Sequence, residues 1–159
     1  KEMFGAAEQD GVYMEVVSGY RTKEKQQSLM NEKILFYISN GYSYSESKKL
    51  AEKWVALEGT SEHQLGLAVD INQDPSKCSA DKVYNWLLEN AHKYGFIKRY
   101  PAEKIEITKI ANEPWHYRYV GEKAAKEMLE KNMCLEEYVE FLENNFSDYN
   151  NSDIIKDGG

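Results

Sequence analysis

Histidine is scarce in this chain, three residues in 159, and two of the three stand beside carboxylates. His63 and Asp70 lie seven positions apart in TSEHQLGLAVD (60–70), and Glu113 and His116 lie three apart in NEPWHYRYVG (112–121). Brought together, His63, Asp70 and His116 offer Zn²⁺ two nitrogens and one oxygen. Such a set leaves one position open, as catalytic rather than structural zinc sites do. Zinc lowers the pKa of a water in that position toward about 7, and Glu113 could take the water proton and pass it to a leaving amine. Read singly, the same residues have plainer roles. A histidine on a half-buried strand is commonly hydrogen-bonded in the core, Ser61-Glu62 could cap a loop, and Asp70 could cap a turn. These spacings are less diagnostic than two histidines one turn apart on a helix, so both readings stand. His92, on a helix beside Lys93 with no ligand type near it, reads as structural. Arg21, in SGYRT (18–22), could clamp a carboxylate bidentately or pair with one of the chain's many acids. Tyr20 and Trp115 read as core or pocket wall.

The elements that must position these residues are visible as patterns. Residues 1–9 read as a helix ending at Asp10-Gly11, and the β-branched alternation of VYMEVV predicts a strand over 12–17. Thr22 N-caps a helix through Ser39, with Leu29, Ile34, Leu35 and Ile38 on one face, closed by Asn40-Gly41. Ser43 or Ser45 opens a second helix to Leu57, with Leu50, Trp54 and Leu57 inward. LAVDI (67–71) reads as a short buried strand. Residues 80–94 predict a helix burying Val83, Trp86, Leu87 and Ala91. Strands follow over 96–100, 105–109 and 115–120, with Glu113 in a loop ahead of the last. Helices from Gly121 to Lys131 and from Leu135 to Asn144 complete the domain. Helices and short strands mix without a βαβ repeat, which predicts an α+β fold with a small, largely antiparallel sheet. One domain over 1–146 and a flexible polar tail over 147–159 are expected.

Composition narrows the function classes. The net charge of −7 argues against sequence-independent nucleic-acid binding, which needs a basic footprint. No apolar run approaches the roughly 18 residues of a membrane span. The sequence opens on Lys1 rather than Met, so a leader or membrane anchor upstream of it is expected. Cys78 and Cys134 show no metal-ligand spacing and read as free thiols rather than a disulfide.

Three ordered motifs, Ser18-Gly19-Tyr20-Arg21, Ser61-Glu62-His63-Gln64-Leu65-Gly66-Leu67-Ala68-Val69-Asp70, and Glu113-Pro114-Trp115-His116-Tyr117-Arg118-Tyr119-Val120-Gly121, together resemble the VanY-type zinc D-alanyl-D-alanine carboxypeptidases, with their relatives the L,D-carboxypeptidases and VanX-type D,D-dipeptidases. The resemblance covers about residues 1–143. It implies a hedgehog/D,D-peptidase-like α+β domain acting on peptidoglycan stem peptides. By motif match it implies His63, Asp70 and His116 as zinc ligands, Glu113 as catalytic base and acid, and Arg21 as substrate holder and oxyanion stabiliser. Gln26 and Ser61 match positions that line the substrate cleft. The implied activity is removal of the terminal D-Ala from pentapeptide stems, with a role in glycopeptide resistance. The alternatives are L,D-trimming of tetrapeptides, D,D-dipeptidase action and endolysin-type endopeptidase action. A zinc-binding module without activity would not need Glu113. A monomer on the outer face of the bacterial membrane or in the wall is implied, with action on cytoplasmic precursors as the other option. Three stretches depart from the usual pattern: Leu65 replaces a small hydroxyl residue, Ile107-Thr108-Lys109-Ile110 precedes the glutamate, and Glu58-Gly59 precedes the second motif. Leu65 is thereby expected to bear on which stem peptide fits, and residues 40–58 to form one wall of the cleft.

Overall fold

Successive residues of a strand face opposite sides of the sheet, and two strands here use that alternation to separate core from site. The computed structural model describes residues 1–154, with side chains described through 145. Its elements are α1 (Glu2–Gln9), β1 (Met14–Ser18), α2 (Lys23–Ser39), α3 (Tyr44–Ala51), β2 (Ala68–Gln73), α4 (Ala80–Asn90), β3 (Phe96–Lys98), α5 (Ile105–Thr108), β4 (His116–Tyr119), α6 (Glu122–Glu130) and α7 (Leu135–Ile154), with 3-10 turns at Glu62–Leu65, Ala91–Tyr94 and Ala102–Lys104. The four strands form one antiparallel sheet in the order β1-β2-β4-β3. The α+β expectation holds.

One face of the sheet carries the core. Ile71 of β2 and Tyr117 of β4 are buried against Met3, Ala7 and Val12 from the N-terminal segment and Val83, Trp86, Leu87 and Ala91 from α4 and the turn after it. The four apolar positions expected of α4 are thus all in the core. Their neighbours in sequence, Asp70 and His116, project from the opposite face. Caps fix the helix starts: Thr22, Ser43 and Ser79 each accept a backbone N–H of the first turn, and Ser43 forms a capping box with Glu46.

Several expectations are corrected. Residues 105–108 form α5 rather than a strand, ended by Lys109 in the left-handed region at φ 59. Ile105 and Ile107 alternate as a strand would, but β3 pairs with β4 alone and offers them no partner in the sheet. α3 stops at Ala51, and Trp54 and Leu57 are exposed rather than inward. On α2 the buried side chains are Gln26, Met30 and Ile34, while Leu35 and Ile38 are exposed. The apolar cluster here is small: Met30, Ile34 and Tyr37 of α2 pack with Ala51 and Val55. α7 continues to Ile154 rather than ending near Asn144, and residues 155–159 of the expected tail lie outside the described residues. Both cysteines are free; Cys78 Sγ donates to the Tyr13 carbonyl and Cys134 is buried.

Candidate metal centre and cleft

Strand pairing brings the candidate ligands together. In the β2–β4 register Asp70 lies directly opposite His116, and in the β1–β2 register it lies opposite Ser18. The chain leaves β1 through a bulge near Ser18, so Gly19 and Arg21 fall beside the same spot. His63 reaches it from the 3-10 turn before β2, which Gly66 ends in the left-handed conformation at φ 69. The Arg21 amide donates to the His63 carbonyl at 3.1 Å, tying the first motif to the second.

Three ligand atoms converge. His63 Nε2 is 3.3 Å and His116 Nδ1 3.1 Å from Asp70 Oδ1, and one donor atom from each of the three residues lies within 4.8 Å of the others. His63 Nε2 and Asp70 Oδ1 are buried without a hydrogen-bond partner. Two lone-pair atoms buried side by side and unsatisfied are costly unless something binds them. A divalent cation fits this donor set in number and chemistry. Nδ1 of His63 lies 2.8 Å from the Gly19 carbonyl; a carbonyl only accepts, so that nitrogen carries the proton and Nε2 presents its lone pair to the cation.

Glu113 lies in the loop ahead of β4, as its spacing predicts, and its Oε2 is 3.6 Å from His116 Nδ1. Only 7% of the residue is exposed. Burial pushes its pKa up to about 7, helped by the charge of Asp70 and opposed by His116 and Arg21. Asp70 goes the other way: burial favours its neutral form, but the ring nitrogens of His116 and His63 beside its carboxylate outweigh that and hold it well below the usual range. The carboxylates therefore divide into a persistent anion at the ligand position and a group poised near neutrality at the base position.

Arg21 is engaged within the protein. Its Nη2 donates to Asp70 Oδ2 at 2.5 Å, its Nε to Ser18 Oγ at 2.8 Å, and its Nη1 approaches Gln26 Oε1 at 3.5 Å. A bidentate hold on a substrate carboxylate is left to Nη1 and the second Nη2 hydrogen. Gln26 is buried and donates to the Ala56 carbonyl, which fixes α2 to the segment after α3.

These residues open onto a cleft of about 440 Å³, with Ser61, Glu62 and Tyr100 beside the ligands and Leu29, Lys33, Phe36, Trp54, Val55 and Trp115 along the walls. The segment after α3 does form one wall. Leu65 is 67% exposed and is not among the residues lining the cleft. Tyr20 is also exposed and outside the cleft. His92 is remote from the cluster. Arg99 and Tyr100 were not foreseen, since their partners in the site are distant in sequence. The Tyr100 ring centroid is 5.0 Å from that of His116.

The family model of VanY, D-alanyl-D-alanine carboxypeptidase, matches residues 1–122. The chain belongs to the VanY family. A D-alanyl-D-alanine carboxypeptidase of Enterococcus faecalis is 55% identical over 139 residues, which is 87% of this chain and 52% of that protein. The chain thus spans about half the length of the curated relatives it matches. Among solved structures, VanYB in complex with D-alanine-D-alanine is 55% identical with a TM-score of 0.86, over 87% of this chain and 77% of that one. A vancomycin resistance D,D-pentapeptidase VanY variant from a VanB-type resistance cassette, in complex with Zn(II), is 56% identical with a TM-score of 0.85, over 87% and 78%. The VanY family assignment covers all three motifs that suggested it, since the third ends at Gly121.

Proposed function

We propose that this chain is the catalytic domain of a zinc D,D-carboxypeptidase that removes the terminal D-Ala from peptidoglycan stem pentapeptides. The observation that carries the reading is the convergence of His63, Asp70 and His116 beside a buried Glu113 at the base of an open cleft. The zinc-bound and D-Ala-D-Ala-bound VanY relatives support it. Zn²⁺ held by His63 Nε2, Asp70 Oδ1 and His116 Nδ1 would supply Lewis acidity, polarising a carbonyl oxygen and making a water more acidic. Glu113 accepts a proton from the water as it attacks the scissile carbonyl and returns it to the leaving D-Ala amine. Arg21 places fixed positive charge beside Asp70, where negative charge on the tetrahedral oxygen is stabilised by a preorganised donor. Ser61 lines the same cleft, and Gln26 lines it while bracing Arg21 and the Ala56 carbonyl.

Such trimming removes the D-Ala-D-Ala terminus, so glycopeptide resistance is the accompanying role. We infer action on stem peptides at the outer face of the membrane, by a monomer tethered through a segment outside this chain, with action on cytoplasmic precursors as the alternative; fractionation of the full-length product separates the two. Among the described residues no helix is long and apolar enough to cross a membrane.

The deciding experiment is a digest of purified muropeptides read by mass spectrometry, with zinc present and after chelation. Loss of one alanine from pentapeptides in the zinc sample alone is the expected result. Trimming of tetrapeptides but not pentapeptides would overturn the D,D assignment in favour of L,D chemistry. Release of the D-Ala-D-Ala dipeptide would make the enzyme a dipeptidase.

A further inference from the structure

The two candidate histidine ligands are held differently. His63 has its non-ligating nitrogen fixed by the Gly19 carbonyl at 2.8 Å. The non-ligating nitrogen of His116, Nε2, is buried and has no hydrogen-bond partner, and the atom facing it is Glu62 Oε2 at 3.6 Å, also buried and also without one. That distance is beyond a formed hydrogen bond, yet the carboxylate is aimed. Its other oxygen, Oε1, accepts from Arg99 Nε at 2.6 Å and lies 3.4 Å from Arg118 Nη1. Arg99 is buried in turn and grips Glu136 of α7 with both terminal nitrogens, at 2.9 and 2.7 Å. A carboxylate pinned through one oxygen by an arginine, with the free oxygen directed at an imidazole, is a positioning device.

We propose that Glu62 is the positioning residue of the third ligand: its Oε2 accepts the Nε2 proton of His116 and so commits Nδ1 to the metal. The assignment rests on the metal site proposed above. It also gives α7, which lies beyond the residues the family model matches, a connection to the site through Glu136 and Arg99. Ligand histidines held by a carboxylate gain basicity and a fixed ring plane, and loss of such a partner lowers metal affinity about 10–100-fold.

Glu62→Gln is the discriminating change because it keeps the shape. Arg99 requires an acceptor, so the amide oxygen turns toward it and the amide NH₂ faces His116. Nε2 must then accept, the proton moves to Nδ1, and the ligand lone pair is lost. Glu62→Ala leaves room for water, so its effect is the smaller of the two.

The test measures zinc affinity of the folded protein by competition with a chromophoric chelator, beside nitrogen-15 spectra of the three histidines. In the zinc-loaded wild type, His116 carries an exchange-protected Nε2 proton, and Glu62→Gln binds zinc about 10–100-fold more weakly. Glu136→Gln is the structural control. It releases the far side of Arg99, lowers Tm and leaves zinc affinity within about threefold, because the Arg99 Nε contact to Glu62 persists. Unchanged zinc affinity in Glu62→Gln overturns the proposal. Equal losses in Glu62→Gln and Glu136→Gln also overturn it, since affinity would then follow stability. Should Glu62→Gln fail to fold, the wild-type spectrum decides alone: a proton on Nδ1, or an unprotected one on Nε2, refutes the role. A wild type that binds no zinc sinks the metal site itself, an outcome distinct from the others.

Discussion

Glu113 combines burial with proximity to Asp70, which keeps its carboxyl protonated to a higher pH than a surface glutamate, up to about 7. As a base it must be ionised, so kcat/KM falls as pH drops through its pKa. A cation bound beside it favours the charged form, which sets the acid limb of the zinc enzyme below 7; a pH profile from 5 to 9 measures it. Glu113→Gln keeps the shape, removes that limb and lowers kcat by about 10²–10⁴-fold, with zinc binding retained. The same group affects stability of the metal-free protein. A carboxyl whose folded pKa lies above its ordinary 4.5 stabilises the fold fully below 4.5, and the contribution is lost as pH rises through 7. Glu62 has the opposite sign. Burial opposes its charge, but His116, Arg99 and Arg118 prevail and hold it at about 2, so its contribution is present above 4.5 and lost as pH falls toward 2. In chelator, Glu113→Gln should flatten the decline in Tm between pH 4.5 and 7; an unchanged slope would contradict the buried-acid account. At this scale the candidate ligands are legible because each sits in a local motif. Glu62 was readable only as a residue type, since Arg99 is 37 positions away and Glu136 another 37. Contacts of that kind arise from tertiary packing and leave no periodic trace.

Caps mark where helices start, but where they end and which face they bury depend on their neighbours: α2 and α3 begin at Thr22 and Ser43, yet α3 stops at Ala51 and α2 exposes Leu35 and Ile38. α4 has a full apolar stripe and a serine cap, and it packs as expected. Residues 105–109 alternate like a strand but find no strand to pair with, and local hydrogen bonding takes them into α5. Trp54 looked like a core position on a helical stripe; instead it is 41% exposed and lines the cleft. Trp54→Ala should therefore cost little stability and raise KM for stem peptides more than it lowers kcat, which steady-state kinetics on a pentapeptide will check. Gly95 is the opposite case. It turns the chain into β3 at φ +80, and a Cβ there would stand 2.7 Å from the Tyr119 ring and 3.0 Å from the Gly121 backbone. Gly95→Ala combines left-handed strain with overpacking and is expected to destabilise by about 2–4 kcal/mol. Urea denaturation measures it, and a change under 1 kcal/mol would mean the β3–α6 junction yields more easily than its contacts indicate.

The described residues form a sheet with α1 and α4 packed on one face and the candidate metal ligands, walled by α2, on the other, and the proposed cation joins parts that the sheet alone does not. His63 comes from the turn before β2, Asp70 from β2 and His116 from β4. In the unfolded chain the two histidines are 53 positions apart, so a site of this kind exists only in the native state and its binding energy adds to folding stability. At a free metal concentration 1,000 times Kd the gain is about 4 kcal/mol. For a domain of this size each kcal/mol moves Tm by about 2–4 °C, so chelation should lower Tm by about 8–16 °C and added Zn²⁺ restore it. The variants separate binding from catalysis. Glu113→Gln leaves the three ligands intact and should show the full metal-dependent shift while inactive. His116→Ala removes one ligand and should lose most of the shift, whatever its own stability without metal. Equal shifts in both variants would mean that the stabilising ion binds elsewhere, and the convergence of His63, Asp70 and His116 would then need another explanation.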